Sequence, residues 1–252
     1  MGPQVVSHTI IKENWLTRAP SDSAYISTLL FGVLLGLFGY WYLGDTWGIT
    51  PWMAASGQSV LVKHEYWRLW TALFAHADVA HLLGNMSLLL PLAFMLTGHF
   101  GVVTFPMLGI LLGGLINFIV IHTMPPEVGL VGISGVVYWM GSSWLTLFVF
   151  IDRRKSIRRR IALSLFLTVV LFIPETYKPE ISYMSHFVGY LLGVVSGVVI
   201  YYLRRSQIKG AEVKEIIYDP PEDEVNPEFM DAEWRPVTDS LPDDVRPPKS
   251  VI

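Results

Sequence analysis

Residues 132–151 read GISGVVYWMGSSWLTLFVFI, and the next nine residues read DRRKSIRRR. The first stretch carries no charged side chain and has about the length of a membrane helix, since about 20 residues cross a ~30 Å hydrocarbon layer. The second stretch, residues 152–160, holds six Lys and Arg side chains. Because Lys and Arg are enriched in cytoplasmic loops, we predict a membrane helix that ends in the cytoplasm at Asp152.

The composition of the whole chain also favours a membrane protein. Of its 252 residues, 52% are hydrophobic and 15% are charged, against roughly 25% charged in soluble proteins. Such a chain cannot bury its hydrophobic residues in one water-soluble core, so lipid is the expected solvent. The lack of cysteine excludes disulfides, thiolate metal sites and a cysteine nucleophile. No basic face with interleaved aromatic residues is present, so we expect no nucleic-acid partner.

Hydropathy predicts an all-α membrane protein with six transmembrane helices. We place the spans at residues 24–44, 79–97, 101–122, 133–151, 161–174 and 183–203, of which the fifth is short. An even number of spans puts both termini in the cytoplasm. The long first loop, residues 45–78, contains four tryptophans among polar residues, and tryptophan prefers the membrane interface. We therefore expect this loop to lie partly in the interface.

The chain divides into three parts by composition. Residues 1–23 form a predicted cytoplasmic extension, residues 24–203 the six-span domain, and residues 204–252 a predicted cytoplasmic tail. From Ala211 to the end there are 12 acidic and four basic residues, together with many prolines. Such a segment buries too little apolar surface to offset its ordering entropy, so we expect it to be disordered. The sequence does not identify a partner for this tail.

A few polar residues lie inside the predicted spans, where each costs free energy unless it is paired or faces water. His81 and Asn85 lie in the second span, Ser134 and Tyr138 in the fourth, and His186 in the sixth. These three spans run from outside to inside, so His81, Ser134 and His186 share the outer end of the bundle. This common depth predicts a polar cavity that opens outward.

Small residues accompany the polar ones. Gly132 and Gly135 flank Ser134, and Gly189 lies one turn after His186. Such residues let two transmembrane helices approach closely. The fourth and sixth spans can then bring the Ser134 hydroxyl within reach of a ring nitrogen of His186, which is how a serine nucleophile is activated. No acid lies near His186 in its span, so the pattern indicates a Ser/His dyad.

Three segments resemble the rhomboid family of intramembrane serine proteases. They are residues 76–86 (HADVAHLLGNM), residues 132–138 (GISGVVY) and residues 186–193 (HFVGYLLG), and Trp67-Arg68 is similar to a pair in the family's first loop. The resemblance covers about residues 24–203. Ser185 departs from the pattern, because a smaller apolar residue is expected before the histidine.

The resemblance implies a six-helix core with Ser134 as the nucleophile and His186 as the general base. It assigns His81 and Asn85 to stabilisation of the oxyanion and places Tyr138 against the His186 ring. Gly132, Gly135 and Gly189 would support this packing, and no metal or cofactor would take part. The implied substrates are transmembrane proteins with a small residue before the scissile bond. A multi-pass protein of a bacterial plasma membrane, with its site near the outer face, fits this reading.

Other classes of membrane protein match less well. A zinc protease needs His-Glu-x-x-His, but the run that starts at His64 ends in Arg68. An aspartyl protease needs two acids within the spans, and a Ser/Lys enzyme needs an intramembrane lysine; neither is present. A transporter would carry ionisable groups down to the inner side. The remaining alternative is a catalytically silent rhomboid-like protein that binds transmembrane helices for quality control or trafficking.

Overall fold

A computed structural model describes residues 7–172 and 182–218 of the chain. This part of the chain is mostly helical. Its α-helices are α1 (Ser23–Leu43), α2 (Thr50–Met53), α3 (Arg68–Thr71), α4 (Val79–Phe100), α5 (Gly109–Ile121), α6 (Ser134–Ile151), α7 (Ile157–Phe172) and α8 (Tyr183–Gly210). A kinked helical segment, Val103–Leu108, leads directly into α5.

Five segments are long and apolar enough to cross a membrane. They are α1, α4, Val103–Ile121, α6 and α8. The predicted fifth span coincides with α7, whose 16 residues rise only about 24 Å at 1.5 Å per residue, short of the ~30 Å hydrocarbon layer. The end of that predicted span, residues 173–174, lies outside the described residues. A sixth crossing therefore remains a prediction.

Helix α6 occupies the centre of the bundle. Of its residues 67% are buried inside the protein, against 22% for the most apolar stretch of α1. Trp139 and Met140 are fully enclosed, and an indole of this size contributes much of the apolar surface that a core buries. A helix that is apolar on all sides is expected in the middle of a bundle rather than at its edge.

Helix α8 packs along the length of α6. A Cβ atom added at Gly189 would collide with the carbonyl of Gly135, and one at Gly193 with the carbonyl of Trp139. The backbones can approach this closely only because these positions lack side chains. The Ser143 hydroxyl donates to the Gly193 carbonyl at 3.0 Å, and the Ser142 hydroxyl to the Tyr190 carbonyl at 2.9 Å. These bonds fix the register of the two helices.

The connection between α1 and α4 is folded rather than extended. It contains α2 and α3, and the buried Arg68 holds its parts together. The Arg68 guanidinium pairs with Glu65 at 2.6 Å and donates to the carbonyls of Pro51 and Ala54. Trp47 is 77% exposed. The interfacial position of this loop remains a prediction. The exposure of Trp47 is in line with it, because tryptophan is enriched at membrane interfaces.

The C-terminal ends of α4 and α6 are tied to residues that precede α1. Asn14 donates its side-chain amide to the carboxylate of Asp152 at 2.8 Å, and the indole of Trp15 donates to the carbonyl of His99 at 2.9 Å. Arg154 donates to the same Asp152 oxygen at 2.7 Å. The part of the N-terminal extension from Asn14 onward therefore packs against the helical domain.

Two short strands depart from the predicted all-α fold. Strand β1 (Ser7–Glu13) and strand β2 (Val213–Tyr218) pair in a two-stranded sheet. Helix α8 also continues beyond residue 203 to Gly210. The predicted disorder of the tail therefore does not hold for residues 211–218, where branched residues such as Val213 and Ile216 favour a strand. Residues 219–252 lie outside the described residues.

Candidate active site

The first residue of α6 is Ser134, and the turn before it has an unusual backbone. Gly132 has a φ of +111°, in a region that L side chains rarely adopt. The Gly132 N–H donates to the carbonyl of Ala72 at 2.9 Å, which secures the turn against the first loop. Ser134 is thereby held at the start of a helix, where the backbone N–H groups of the first turn have no intrahelical acceptor.

The turn at Gly132 also packs against two polar residues of α4, His81 and Asn85. From the position of a Cβ at Gly132, the His81 ring is 2.8 Å away at Cε1 and 3.1 Å at Nε2, and the Asn85 amide nitrogen is 3.9 Å away. His81 and Asn85 are one turn apart on α4, so both face this side. Asp78 caps α4 by accepting the His81 N–H at 2.7 Å.

The residues beside Ser134 and His186 are in direct contact. The Ser185 hydroxyl is 2.6 Å, and its carbonyl 3.2 Å, from the Cβ position of Gly135. Gly189, one turn after His186, touches the carbonyl of Gly135. The chain segments that carry Ser134 and His186 are therefore neighbours at the N-terminal ends of α6 and α8.

The ring of Tyr138 lies almost flat on the ring of His186. The centroids are 3.9 Å apart and the planes meet at 13°. The Tyr138 hydroxyl donates to the carbonyl of Phe172 at the end of α7, at 2.5 Å. This contact limits the orientations open to the imidazole and connects it to α7.

No described residue makes a hydrogen bond to either ring nitrogen of His186, although both are buried. The bond that would join Ser134 to His186 is therefore not formed in this structure. Hydrogen bonds of a catalytic pair are often long in the unliganded protein and shorten in the substrate complex. The imidazole is available for such a bond, since no neighbour within the described residues competes for it.

Asn85 presents a second uncommitted group. Its side chain is 5% exposed, and within the described residues its amide nitrogen has no hydrogen-bond partner. A buried amide of this kind costs free energy until an acceptor arrives. An oxygen atom bound beside Ser134 would supply that acceptor.

A pocket of about 240 Å³ opens beside Ser134. The segment before Gly132, the start of α4 and the start of α8 all contribute to its lining. It is lined by Ala77, His81, Met124, Val128, Gly129, Leu130, Val131, Ser134, Ser182 and Ser185. This volume is room for water and for a small side chain, which a hydrolytic site must admit.

Three further residues belong to the site without having been assigned a role from the sequence. His76 is fully buried and meets His81 edge to face, with centroids 5.2 Å apart. Burial, and then the neighbouring His81, lower the pKa of His76, which keeps its ring neutral near pH 7. Ser182 and Ser185 line the pocket. The sequence shows that His76 precedes His81 by five residues, but this spacing does not indicate that the two rings are in contact.

These observations define a helical membrane protein with a polar site between the starts of three packed helices. The Rhomboid domain family matches residues 63–203, more than half of the chain, and no curated protein matches it. The chain belongs to the rhomboid family. The resemblance noted from three short motifs is thus confirmed, and the match begins within the first loop and ends in α8.

Family membership establishes an integral membrane protein of a class that acts on transmembrane substrates. Most rhomboid proteins are intramembrane serine proteases, and the family also contains inactive members.

Proposed function

We propose that this protein is an intramembrane serine endopeptidase that hydrolyses peptide bonds in or beside transmembrane segments of other proteins. The observation that carries the proposal is the close packing of α6 on α8 at Gly135 and Gly189. This packing makes the chain segments that carry Ser134 and His186 neighbours, and the ring nitrogens of the buried His186 have no partner among the described residues. A nucleophile and a base at adjacent helix starts are the minimum for serine catalysis.

In the proposed reaction, His186 removes the proton of the Ser134 hydroxyl as its oxygen attacks the scissile carbonyl carbon. The C–N bond then breaks, and the proton passes from His186 to the leaving amine. Water, deprotonated by His186, hydrolyses the acyl-enzyme and frees Ser134. The Asn85 amide, His81 and the N–H groups of the first turn of α6 are donors for the oxyanion, and one such donor contributes roughly 3–4 kcal/mol. The scheme uses no metal or cofactor.

The pocket beside Ser134 supports the entry of water. A substrate helix must unwind before it is cut, because its backbone hydrogen bonds shield the carbonyl. We place its entry between α4 and α7, where an apolar groove of about 290 Å³ includes Leu92 and Leu167. Of the residues of α7 only Phe172 is buried, so little packing opposes movement of this helix.

The proposed setting is a bacterial plasma membrane, with both termini in the cytoplasm and the site near the outer face. The support is electrostatic: residues 152–160 carry six cations next to α6, and Arg204 and Arg205 lie near the end of α8. The site lies at the opposite ends of these two helices. Lys and Arg stay on the cytoplasmic side, which puts Ser134 outside.

The alternative is a silent rhomboid-like protein that binds transmembrane helices. The observation on its side is that the Ser134–His186 hydrogen bond is absent from the described residues. Such a protein would bind a transmembrane segment equally well with and without the Ser134 hydroxyl, and would release no product.

The two functions separate in one experiment. A fluorogenic transmembrane substrate is incubated with wild type, Ser134→Ala and His186→Ala in detergent micelles, and product and substrate binding are both measured. We expect cleavage by wild type alone and binding by all three. Ser87→Ala and His122→Ala are matched controls, because both residues are exposed and lie outside the site. Equal cleavage by Ser134→Ala would overturn the assignment, and binding without cleavage by wild type would establish the alternative.

A further inference from the structure

The pocket beside Ser134 has both polar and apolar residues in its lining. Four of the lining residues are polar, namely His81, Ser134, Ser182 and Ser185. The segment between α5 and α6 contributes four apolar residues, Met124, Val128, Leu130 and Val131. A side chain that enters this pocket therefore meets both hydroxyl groups and hydrocarbon.

Ser185 is the most enclosed of these hydroxyl residues. It is 4% exposed, and its Oγ is 2.6 Å from the Cβ position of Gly135, the residue after Ser134. No described residue forms a hydrogen bond to this hydroxyl. Because the residue lines the pocket, the most direct partner for its hydroxyl is a group bound there.

Ser182 places a second hydroxyl beside it. Its Oγ accepts the N–H of Ser185 at 3.3 Å, which caps α8. An accepting hydroxyl still has its own proton to donate. Within the described residues that proton has no acceptor, so the lining of the pocket offers donors as well as lone pairs.

A buried hydroxyl next to a bound side chain discriminates by the bond that is lost. When an apolar group of the same shape replaces a polar one, the buried hydroxyl is left without a partner and bears its desolvation cost. Sites built to bond a substrate hydroxyl reject the analogue that lacks it more strongly than apolar pockets reject a missing methylene group. The apolar residues of the lining limit the size of the bound group without contributing a hydrogen bond.

We infer that Ser185, assisted by Ser182, determines which side chain is accepted immediately before the scissile bond. This inference rests on the proposed function. The pocket takes a small hydroxyl-bearing side chain, threonine or serine, immediately before the scissile bond. It takes threonine in preference to the isosteric valine, and serine in preference to alanine. The hydroxyl of the bound side chain forms hydrogen bonds with Ser185 and Ser182. The methyl group of a bound threonine packs on Val128 and Leu130.

The test uses one transmembrane substrate in four versions, with Thr, Val, Ser or Ala before the scissile bond. The readout is the ratio of kcat/KM within each pair, Thr to Val and Ser to Ala, in the same micelles. We expect wild type to favour Thr over Val roughly five- to tenfold, the value of one ordinary net hydrogen bond. Ser185→Ala should bring both ratios close to one. When the same exchange is made at the residue after the scissile bond, the kcat/KM ratios should be the same in wild type and in every variant.

Two further variants keep the result interpretable. Glycine is tolerated at a helix N-cap almost as well as serine. Ser182→Gly should therefore lower the Thr to Val ratio without unfolding α8. Ser87→Ala removes an exposed hydroxyl of α4 that donates to the Gly84 carbonyl, and should leave both ratios at their wild-type values.

The outcomes are distinct. Ser134-dependent cleavage with equal kcat/KM for Thr and Val overturns the inference and leaves the proposed function in place. An unchanged preference in Ser185→Ala does the same, and reduces Ser185 to a small residue that lets α8 approach Gly135. If none of the four substrates shows Ser134-dependent cleavage, both the function and the inference fail.

Discussion

Tyr138 and His186 lie on adjacent helices with their rings stacked at 3.9 Å. The same tyrosine donates its hydroxyl to the Phe172 carbonyl, so the imidazole, α6 and the end of α7 are linked through one side chain. Because the proposed dyad has no carboxylate, this stacked ring is the contact that would orient the histidine.

Removal of this ring should impair catalysis more than binding. We expect Tyr138→Ala to lower kcat about 10²-fold, because misplacement of a reacting group by about 1 Å costs that much, with little change in KM. Tyr138→Phe keeps the stacked ring and loses only the bond to Phe172, so it should retain most of kcat. Steady-state kinetics on one transmembrane substrate distinguish the two. Equal losses in both variants would assign the effect to the hydroxyl.

The amide nitrogen of Asn85, which has no partner among the described residues, should be needed to stabilise the transition state. We expect Asn85→Ala to lower kcat about 10²-fold, the usual effect of one lost oxyanion donor, with the melting temperature nearly unchanged. Asn117 is the matched control, because its buried amide donates to the Leu69 carbonyl at 2.7 Å. Asn117→Ala should lower the melting temperature instead. A large stability loss in Asn85→Ala would indicate a structural role.

The contact between Gly189 and Gly135 should tolerate no methyl group. Gly189→Ala should lower the free energy of unfolding by about 1–3 kcal/mol through overpacking and abolish cleavage, since the added atom meets the Gly135 carbonyl. Gly36→Ala is the control, because a Cβ there meets no atom within 4 Å. Thermal unfolding in detergent measures both. A Gly189→Ala variant as stable and active as wild type would contradict the observed packing.

Asp152 should make stability sensitive to acid. Burial acts to raise the pKa of its carboxyl, but the hydrogen bond and charge of Arg154 and the amide of Asn14 outweigh burial and hold the pKa below its usual range. A carboxyl with a depressed folded-state pKa stabilises the protein above its unfolded pKa and loses that contribution as the pH falls through the folded value. We therefore expect the melting temperature to fall as the pH drops below about 4.

The acid-sensitive part should depend on this one residue. Asp152→Asn should lower the melting temperature at pH 7 and flatten its decline between about pH 4 and 2. Asp22→Asn, at an exposed carboxylate, should leave the curve unchanged. Parallel curves for wild type and Asp152→Asn would exclude Asp152 as the source.

Orientation can be tested directly because the chain has no cysteine. A cysteine at Ser156 should be protected from a membrane-impermeant maleimide in sealed cells, and one at Glu127 should be labelled. Both residues are exposed, so access and not burial decides the result. If only the Ser156→Cys variant were labelled, the orientation of the protein would be the reverse of the one predicted.

Much of this protein could be predicted from local pattern. The helices at α1, α4, α6 and α8 follow from long apolar runs, because lipid permits few other backbone conformations, and the family follows from motifs around His81, Ser134 and His186. Local pattern misjudged residues 211–218, where pairing with β1 outweighs an acidic composition. The predicted span at residues 161–174 stays a prediction, because the described α7 has only 16 residues.

By itself the sequence determined which long apolar helices form, which polar residues they carry and which ends those residues share, since hydropathy and charge act along each segment. Only the tertiary structure decided what touches what. The stacking of Tyr138 on His186, the approach of Ser185 to Gly135 and the bond from Asn14 to Asp152 each join residues far apart in the chain. Their geometry depends on helix register and packing at the scale of an ångström, and no local pattern encodes that.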